Sequence, residues 1–349
     1  MPKVSVLVAM FRPGGIDVTL VGLRDQTFKD FEVVLVDRRY ERRHERVMAM
    51  AADYGLDLIH VPEHRRNGKW QNIGSAWNTA MAVAEGEIVI FLPDWTYVPP
   101  GWIGAHLLPH ASGDVVYVAC PYRYTDLPPL KLLRPFDFSG QLDRGRVCLD
   151  EDAVLRGEVF DEISAFAAPF TWETATSLRH HEFPHQDTRQ AAAGQSLEFS
   201  WIPLKNESVR RSIAYKVNGL DERLDRGKGP LDIDWASRLS PAGCQSTWTP
   251  EGLALCPNPR WICGSMPWGS KEERVEGRWS YWDGNAYNAR RQDEAGRGKI
   301  RARNPFDIEE LHEDLVRAGW RDKDHVIDVG PLDRDDLTYW GKEIWPDTP

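Results

Sequence analysis

The sequence predicts an α/β domain: a mixed, mostly parallel sheet flanked by helices, with a loop-rich insertion and a C-terminal extension. Three observations carry this. Short apolar, β-branched runs alternate with stretches of helical period through the first hundred residues. The runs are apolar at nearly every position, as in strands covered on both faces. The stretches between them run to 10–15 residues, the usual length of a crossover helix joining parallel strands.

The elements follow in order. Residues 3–9 (KVSVLVA) read as a buried strand, broken by MFRPGG at 10–15. Residues 16–26 place Ile16, Leu20 and Leu23 at helical spacing. FEVVLV at 31–36 is a second strand closing in Asp37, and 41–54 a charged helix. DLIHV at 57–61 is a third strand, 70–85 a helix ended by Gly86, and EIVIFL at 87–92 a fourth strand running into Pro93-Asp94. Beyond it, 102–109 reads as a short helix and 114–119 as a strand. Residues 121–200 lack periodicity and read as an insertion with long loops; 207–217 and 231–239 are regular again. Residues 250–305 read as irregular and Trp-rich, and 307–318 as an amphipathic helix with Ile308, Leu311 and Leu315 on one face. The implied units are 1–120, 121–200, 201–250 and 251–349. In parallel sheets ligands bind beyond the carboxyl ends of the strands. Those ends carry Phe11 and Arg12, Asp37, Glu63 to Arg66, and Asp94.

Bulk composition narrows the class. The chain has 349 residues, 42% hydrophobic and 28% charged, ordinary for a globular protein. No run of about 18 apolar residues reads as a membrane span. The N-terminus reads directly as a strand and not as a leader, so the expected compartment is the cytoplasm. Five cysteines without a C-x-x-C pair exclude a disulfide framework or zinc ribbon. A net charge of −10 argues against a dedicated nucleic-acid binder, although 288–303 is locally basic. The sequence carries no signal for oligomeric state.

Three segments carry a resemblance. LRDQTFKDFEVVLVD (23–37), NTAMAVAEGEIVIFLPD (78–94) and NESVRRSIAYKVNGLDERLDRGKGPLDIDWASRL (206–239) resemble, in order and spacing, signature blocks of family 2 glycosyltransferases. The resemblance implies a GT-A type nucleotide-binding fold. It also implies transfer of a sugar from a nucleotide-sugar donor, UDP-sugar favoured, to an acceptor hydroxyl. The family's acids are thinned here. Asp-Asp after the second strand is Asp37-Arg38, Asp-x-Asp is reduced to Pro93-Asp94-Trp95, and the Glu-Asp pair is Leu231-Asp232.

Residue roles follow from chemistry and from the resemblance together. Asp37 matches the acid that holds base or ribose; a cap for the next helix is the alternative. Asp94 stands where a carboxylate beside the diphosphate holds Mn2+ or Mg2+, which stabilises charge on the departing phosphate. In a metal-independent variant, cations near the strand ends (Arg12, Arg65, Arg66, Lys69) take that work. Asn78 joins the donor set through the second block. Asp232 matches the catalytic base of an inverting transfer, taking the acceptor proton; Asp234 is the alternative acid. Trp235, Asn206 and Arg210 are the candidate acceptor-side residues. The stretch 180–187, with His181, His185 and Asp187, offers a second possible metal cluster. Competing readings are a catalytically inactive glycan- or nucleotide-sugar-binding protein, a retaining transferase, and a nucleotidyltransferase, for which MFRPGG is a poor phosphate loop. The acceptor is expected to be a glycan or small molecule. A modified base in DNA is the alternative, since tryptophans and basic residues suit stacking on bases.

Overall fold

The structure, a computed structural model, describes residues 3–10, 14–64, 73–113, 115–125, 142–143, 146–147, 163–164, 171–177, 180–182, 204–222, 224, 231–257, 290 and 293–328. The first four strands are β1 (Val4–Met10), β2 (Phe31–Asp37), β3 (Leu58–Pro62) and β4 (Ile88–Pro93). Helices α1 (Ile16–Arg24), α2 (Tyr40–Asp53) and α3 (Ile73–Val83) connect them. After α4 (Trp102–His110) come β5 (Val116–Ala119) and β6 (Tyr122–Thr125). The insertion contributes β7 (Leu142–Asp143), β8 (Arg146–Val147), α5 (Trp172–Ser177) and β9 (His180–Glu182). The chain continues through β10 (Glu207–Arg210), α6 (Arg211–Lys216), α7 (Leu231–Leu239), β11 (Gln245–Trp248), β12 (Ala254–Pro257) and α8 (Ile308–Arg317).

Seven strands form the main sheet in the order β11-β5-β10-β4-β1-β2-β3. All pairings are parallel except those of β10, which runs antiparallel between β4 and β5. The sheet is therefore mixed and mostly parallel, as the sequence predicts. A helical crossover returns each of β1 to β4 to the same edge, so their carboxyl ends lie side by side.

Alternation along the strands builds two cores. Val4, Val6 and Val8 face α1 and α2, with Trp102 and Ile103 of α4 on the same side. Leu7, Ala9, Val34, Val89 and Phe91 face α3, α7 and α8. Helix α8 lays Ile308, Leu311 and Leu315 against this second core and packs on α3. Asp307 caps it, accepting from the Glu309 N–H at 2.9 Å. Among the described residues no helix is long and apolar enough to cross a membrane.

One expectation changes. Within 250–305, residues Ala254–Pro257 are not irregular: they form β12, parallel to β6 in a second sheet of order β12-β6-β9, with Leu255 bridged to Tyr97. Four residues are too few to show a period, and partners far along the chain define the strand.

Candidate active site

At the end of β2, Asp37 is fully buried. Oδ1 accepts from the Arg39 N–H at 2.7 Å and pairs with Arg43, and Oδ2 lies 3.2 Å from His60 Nε2. Burial alone would raise this carboxyl; the Arg43 guanidinium and His60 overcome it and hold it down at about 2. Both oxygens are thus engaged within the protein. The bond to the Arg39 N–H shapes the turn ahead of α2, whose N-cap is Arg39 and not Asp37.

Arg38 stands where the family pattern has a second acid. It extends its Nε to Oε2 of Glu63, at the end of the next strand, 3.0 Å away and with both side chains buried. The Ser75 hydroxyl donates to the other Glu63 oxygen. Burial pushes the Glu63 carboxyl up, and Arg38 opposes this. Replacing an acid by Arg38 therefore leaves a buried ion pair beside Asp37.

Asp94 follows β4 directly and is 4% exposed. The turn behind it is strained: Trp95 has φ 59°, in the left-handed region that a bulky residue rarely adopts. The Trp95 ring lies over Gly15 (φ 74°), where any side chain would run into it. The Thr96 N–H donates to Thr19 Oγ1 at 3.2 Å. The start of α1 and the Asp94 turn are thereby fixed against each other.

Asn78 faces inward. Its Nδ2 donates to Leu220 O and Glu222 Oε1, both at 2.9 Å, and its Oδ1 accepts from the Leu220 N–H at 2.8 Å. Gly219 (φ 65°) lets the chain pass close to this amide. Asn78 is a clamp between α3 and the segment leading to α7. Phe11, Arg12, Arg65, Arg66 and Lys69 lie outside the described residues, as do His185 and Asp187.

The two acids of α7 differ. Asp234 is fully buried and bonded to Arg238 Nε at 2.9 Å, while Arg238 also donates to Val217 O at 2.8 Å. Asp232, in the first turn, is only partly buried, and its Oδ1 receives the Ile233 N–H at 3.1 Å. Trp235 is fully buried and meets Phe91 edge-on at 5.8 Å, so it belongs to the second core rather than to an open floor.

Asn206 and Arg210 are also placed away from an open cleft. Asn206 is fully buried: Oδ1 accepts from Trp102 Nε1 (2.8 Å) and lies 3.1 Å from His106 Nε2, and Nδ2 donates to Pro121 O and Gly252 O, both at 2.7 Å. Arg210 pairs with Glu87 and stands opposite Ile88, at the far end of β4 from Asp94.

The residues present fit a divalent cation only as the protein half of a site. Asp94 is the acid that the sequence assigns to it, and no group of three His, Cys, Asp or Glu side chains gathers among the described residues. Mg2+ and similar ions accept one or two carboxylates when phosphate oxygens and water complete the shell. A bound cation would supply charge stabilisation to a departing diphosphate.

Residues 5–166 match the family model Glycosyl transferase family 2. The chain is family 2-like, with a GT-A type fold. The match spans a little under half of its length and includes two of the three blocks that carry the sequence resemblance. It supports a glycosyl transfer function. No curated protein sequence matches. Among solved structures, S. aureus TarS is similar at 14% identity over 86% of this chain and 44% of that one, with a TM-score of 0.46. The mannosyltransferase PcManGT from Pyrobaculum calidifontis, solved in complex with GDP-Man and Mn2+, is similar at 17% identity over 91% of this chain and 71% of that one, TM-score 0.48. This family 2-like chain thus spans less than half the length of TarS.

One residue near α7 escapes the sequence reading. Glu207 sits between Asn206 and Ser208 on β10, fully buried, and its carboxyl feels the charge of Asp232. Its signal was an acid inside a strand buried on both faces.

Proposed function

We propose that the chain moves a sugar from a nucleotide-sugar donor, a UDP-sugar by preference, to an acceptor hydroxyl with inversion at the anomeric carbon. In this reading 1–120 binds donor and 201–250 carries acceptor and base, while the insertion and extension select the acceptor, a glycan or small molecule. Asp94 meets the diphosphate, with Mn2+ or Mg2+ or with nearby cations. Asp232 takes the acceptor proton as its oxygen attacks.

The observation that carries the assignment is the contrast between the two acids of α7. Asp234 is consumed by a buried ion pair, whereas Asp232 remains partly exposed at the helix start. Asp232→Asn is expected to lower kcat by about 10² to 10⁴-fold while nucleotide binding persists. Transfer at the wild-type rate in that variant removes Asp232 as base.

A binding-only reading draws on a different observation: both oxygens of Asp37 are engaged inside the protein. Slow hydrolysis of the donor by the purified chain separates the two, since a module that only binds releases no free sugar.

A further inference from the structure

The end of the locally basic stretch forms a row of cations. Lys299, Arg301 and Arg303 are exposed, while Ile300 is half-buried and Ala302 buried between them. The Ala302 N–H donates to Val217 O at 2.7 Å. Arg238 Nη1 donates to the same carbonyl at 2.8 Å and lies 3.5 Å from Ile300 O. These bonds hold the backbone, and the three cations leave it toward one cleft. Neighbours in the row start at most about 7 Å apart, the reach of two residues. The cleft has a volume of about 500 Å³ and is completed by exposed Lys216 at the end of α6. Small-ligand sites span roughly 300–1,000 Å³.

Charge in the cleft is one-sided. No acid lines it among the described residues. Arg301 pairs with Asp307 and Arg303 with Glu294, each through Nη2, yet their side chains remain 50% and 45% exposed. Lys299 makes none of the ion pairs found among the described residues. Lys216 Nζ donates to a neutral group, Ala242 O, at 2.8 Å. Four cations thus face two acids, and the cleft keeps a positive charge in a chain whose net charge is −10. A concave site of one sign gathers ligands of the other.

The chemistry of the row narrows the ligand. Guanidinium groups match phosphate geometry, and cations in a row suit charges in a row. No aromatic ring lines the cleft among the described residues, so it lacks the platform on which nucleic-acid bases stack. Arg238, which holds the Val217 and Ile300 carbonyls behind the cleft, is on α7, about 9 Å along the helix from Asp232. We propose that the cleft between Lys216 and residues 298–303 binds the anionic part of the acceptor, a glycan that carries phosphate groups along its chain. The proposal rests on the transferase reading, in which this half of the molecule receives the acceptor.

The test measures binding of the full chain to phosphomannan, to neutral mannan and to a short oligo-dT. It is repeated with Lys299→Glu and with the triple variant Lys299→Ala, Arg301→Ala, Arg303→Ala. Phosphomannan is expected to bind at least about tenfold more tightly than mannan, and salt should weaken it. Lys299→Glu, which disturbs no ion pair, should lose affinity severalfold with no change in Tm. The triple variant should lose at least about tenfold, while any rise in Tm with UDP stays as in wild type. Equal binding of the two mannans, or no binding of phosphomannan, overturns the proposal. So does wild-type affinity in both variants. Tighter binding of oligo-dT than of phosphomannan overturns the glycan in favour of nucleic acid. Phosphomannan binding that the variants abolish, in a chain that transfers no sugar, keeps the anion cleft and removes the transferase reading. Transfer to neutral glycans without phosphomannan binding does the reverse.

Discussion

The two faces of strand β10 carry buried polar groups of opposite kinds. On the α4 side Asn206, His106 and Ser208 are joined end to end, and His110 Nδ1, at the outer end of the chain, has no hydrogen-bond partner among the described residues. The His106 Nε2–H donates to Asn206 Oδ1 at 3.1 Å, which leaves His106 Nδ1 to accept from the Ser208 hydroxyl at 3.1 Å. That hydroxyl in turn accepts from His110 Nε2–H at 3.0 Å. On the α7 side, one position along, Glu207 keeps an oxygen without a hydrogen bond and shares the field of Asp232. Closed networks fix a fold. Both faces lie on one short strand, so burial alone does not separate structure from function.

The largest effect expected from breaking the closed face comes at Asn206. Asn206→Ala strips partners from the Trp102 indole, His106 and two backbone carbonyls at once. Each buried group left bare costs roughly 1–3 kcal/mol, so a total loss of about 4 kcal/mol or more is expected in urea unfolding. A loss under about 1 kcal/mol contradicts the closed-network account.

The faces also respond to pH with opposite sign. Burial holds His106 down at about 3 and His110 at about 4, against an ordinary 6.5. The unfolded chain therefore binds more protons than the folded one between about pH 6.5 and those values. Stability is fully present above 6.5 and falls on acidification, by up to about 1.4 kcal/mol per pH unit for each histidine. Glu207 is raised, so its contribution is present below 4.5 and is lost as pH rises. Unfolding followed from pH 4 to 8 should show His106→Asn flattening the acid side and Glu207→Gln flattening the other. The same flattening from both variants undoes the contrast.

At the periphery the effect should be small. Arg210 and Glu87 form a partly exposed pair at the far end of β4, with side chains 22% and 58% exposed. Arg210→Ala is expected to cost at most about 1 kcal/mol in the same unfolding experiment. A loss of about 3 kcal/mol would place Arg210 in a tighter network than its exposure suggests.

Much of the scaffold was legible because its signals are local. Apolar runs, helical spacing and the break at Pro93 located β1 to β4 and their helices, and so located Asp37 and Asp94 at strand ends. The distinction between Asp232 and Asp234 was half legible: helical spacing put them on different faces, but only the partner Arg238 decided which acid is consumed. Asn206, Arg210 and Trp235 were expected along an acceptor cleft because polar and aromatic residues in a family-like block suggest contact with ligand. Their partners lie far off in sequence. His106 meets Asn206 across 100 residues, and Glu87 meets Arg210 across 123. Asn78 illustrates the same point, since it clamps Leu220 across 142 residues. Glu207 was overlooked because a strand reading gives the face of a residue but not whether its hydrogen bonds close.

The central claim, a nucleotide-sugar site at the carboxyl ends of β1 to β4, is tested most directly by thermal unfolding with UDP, GDP, CMP and dTDP, each with Mn2+ and with EDTA. Ligand at about 100 times its Kd stabilises by roughly 2.7 kcal/mol, a readily measured rise in Tm. The account predicts that one nucleotide, UDP, raises Tm selectively, and that Asp94→Ala abolishes the rise. No rise with any nucleotide under either condition contradicts it.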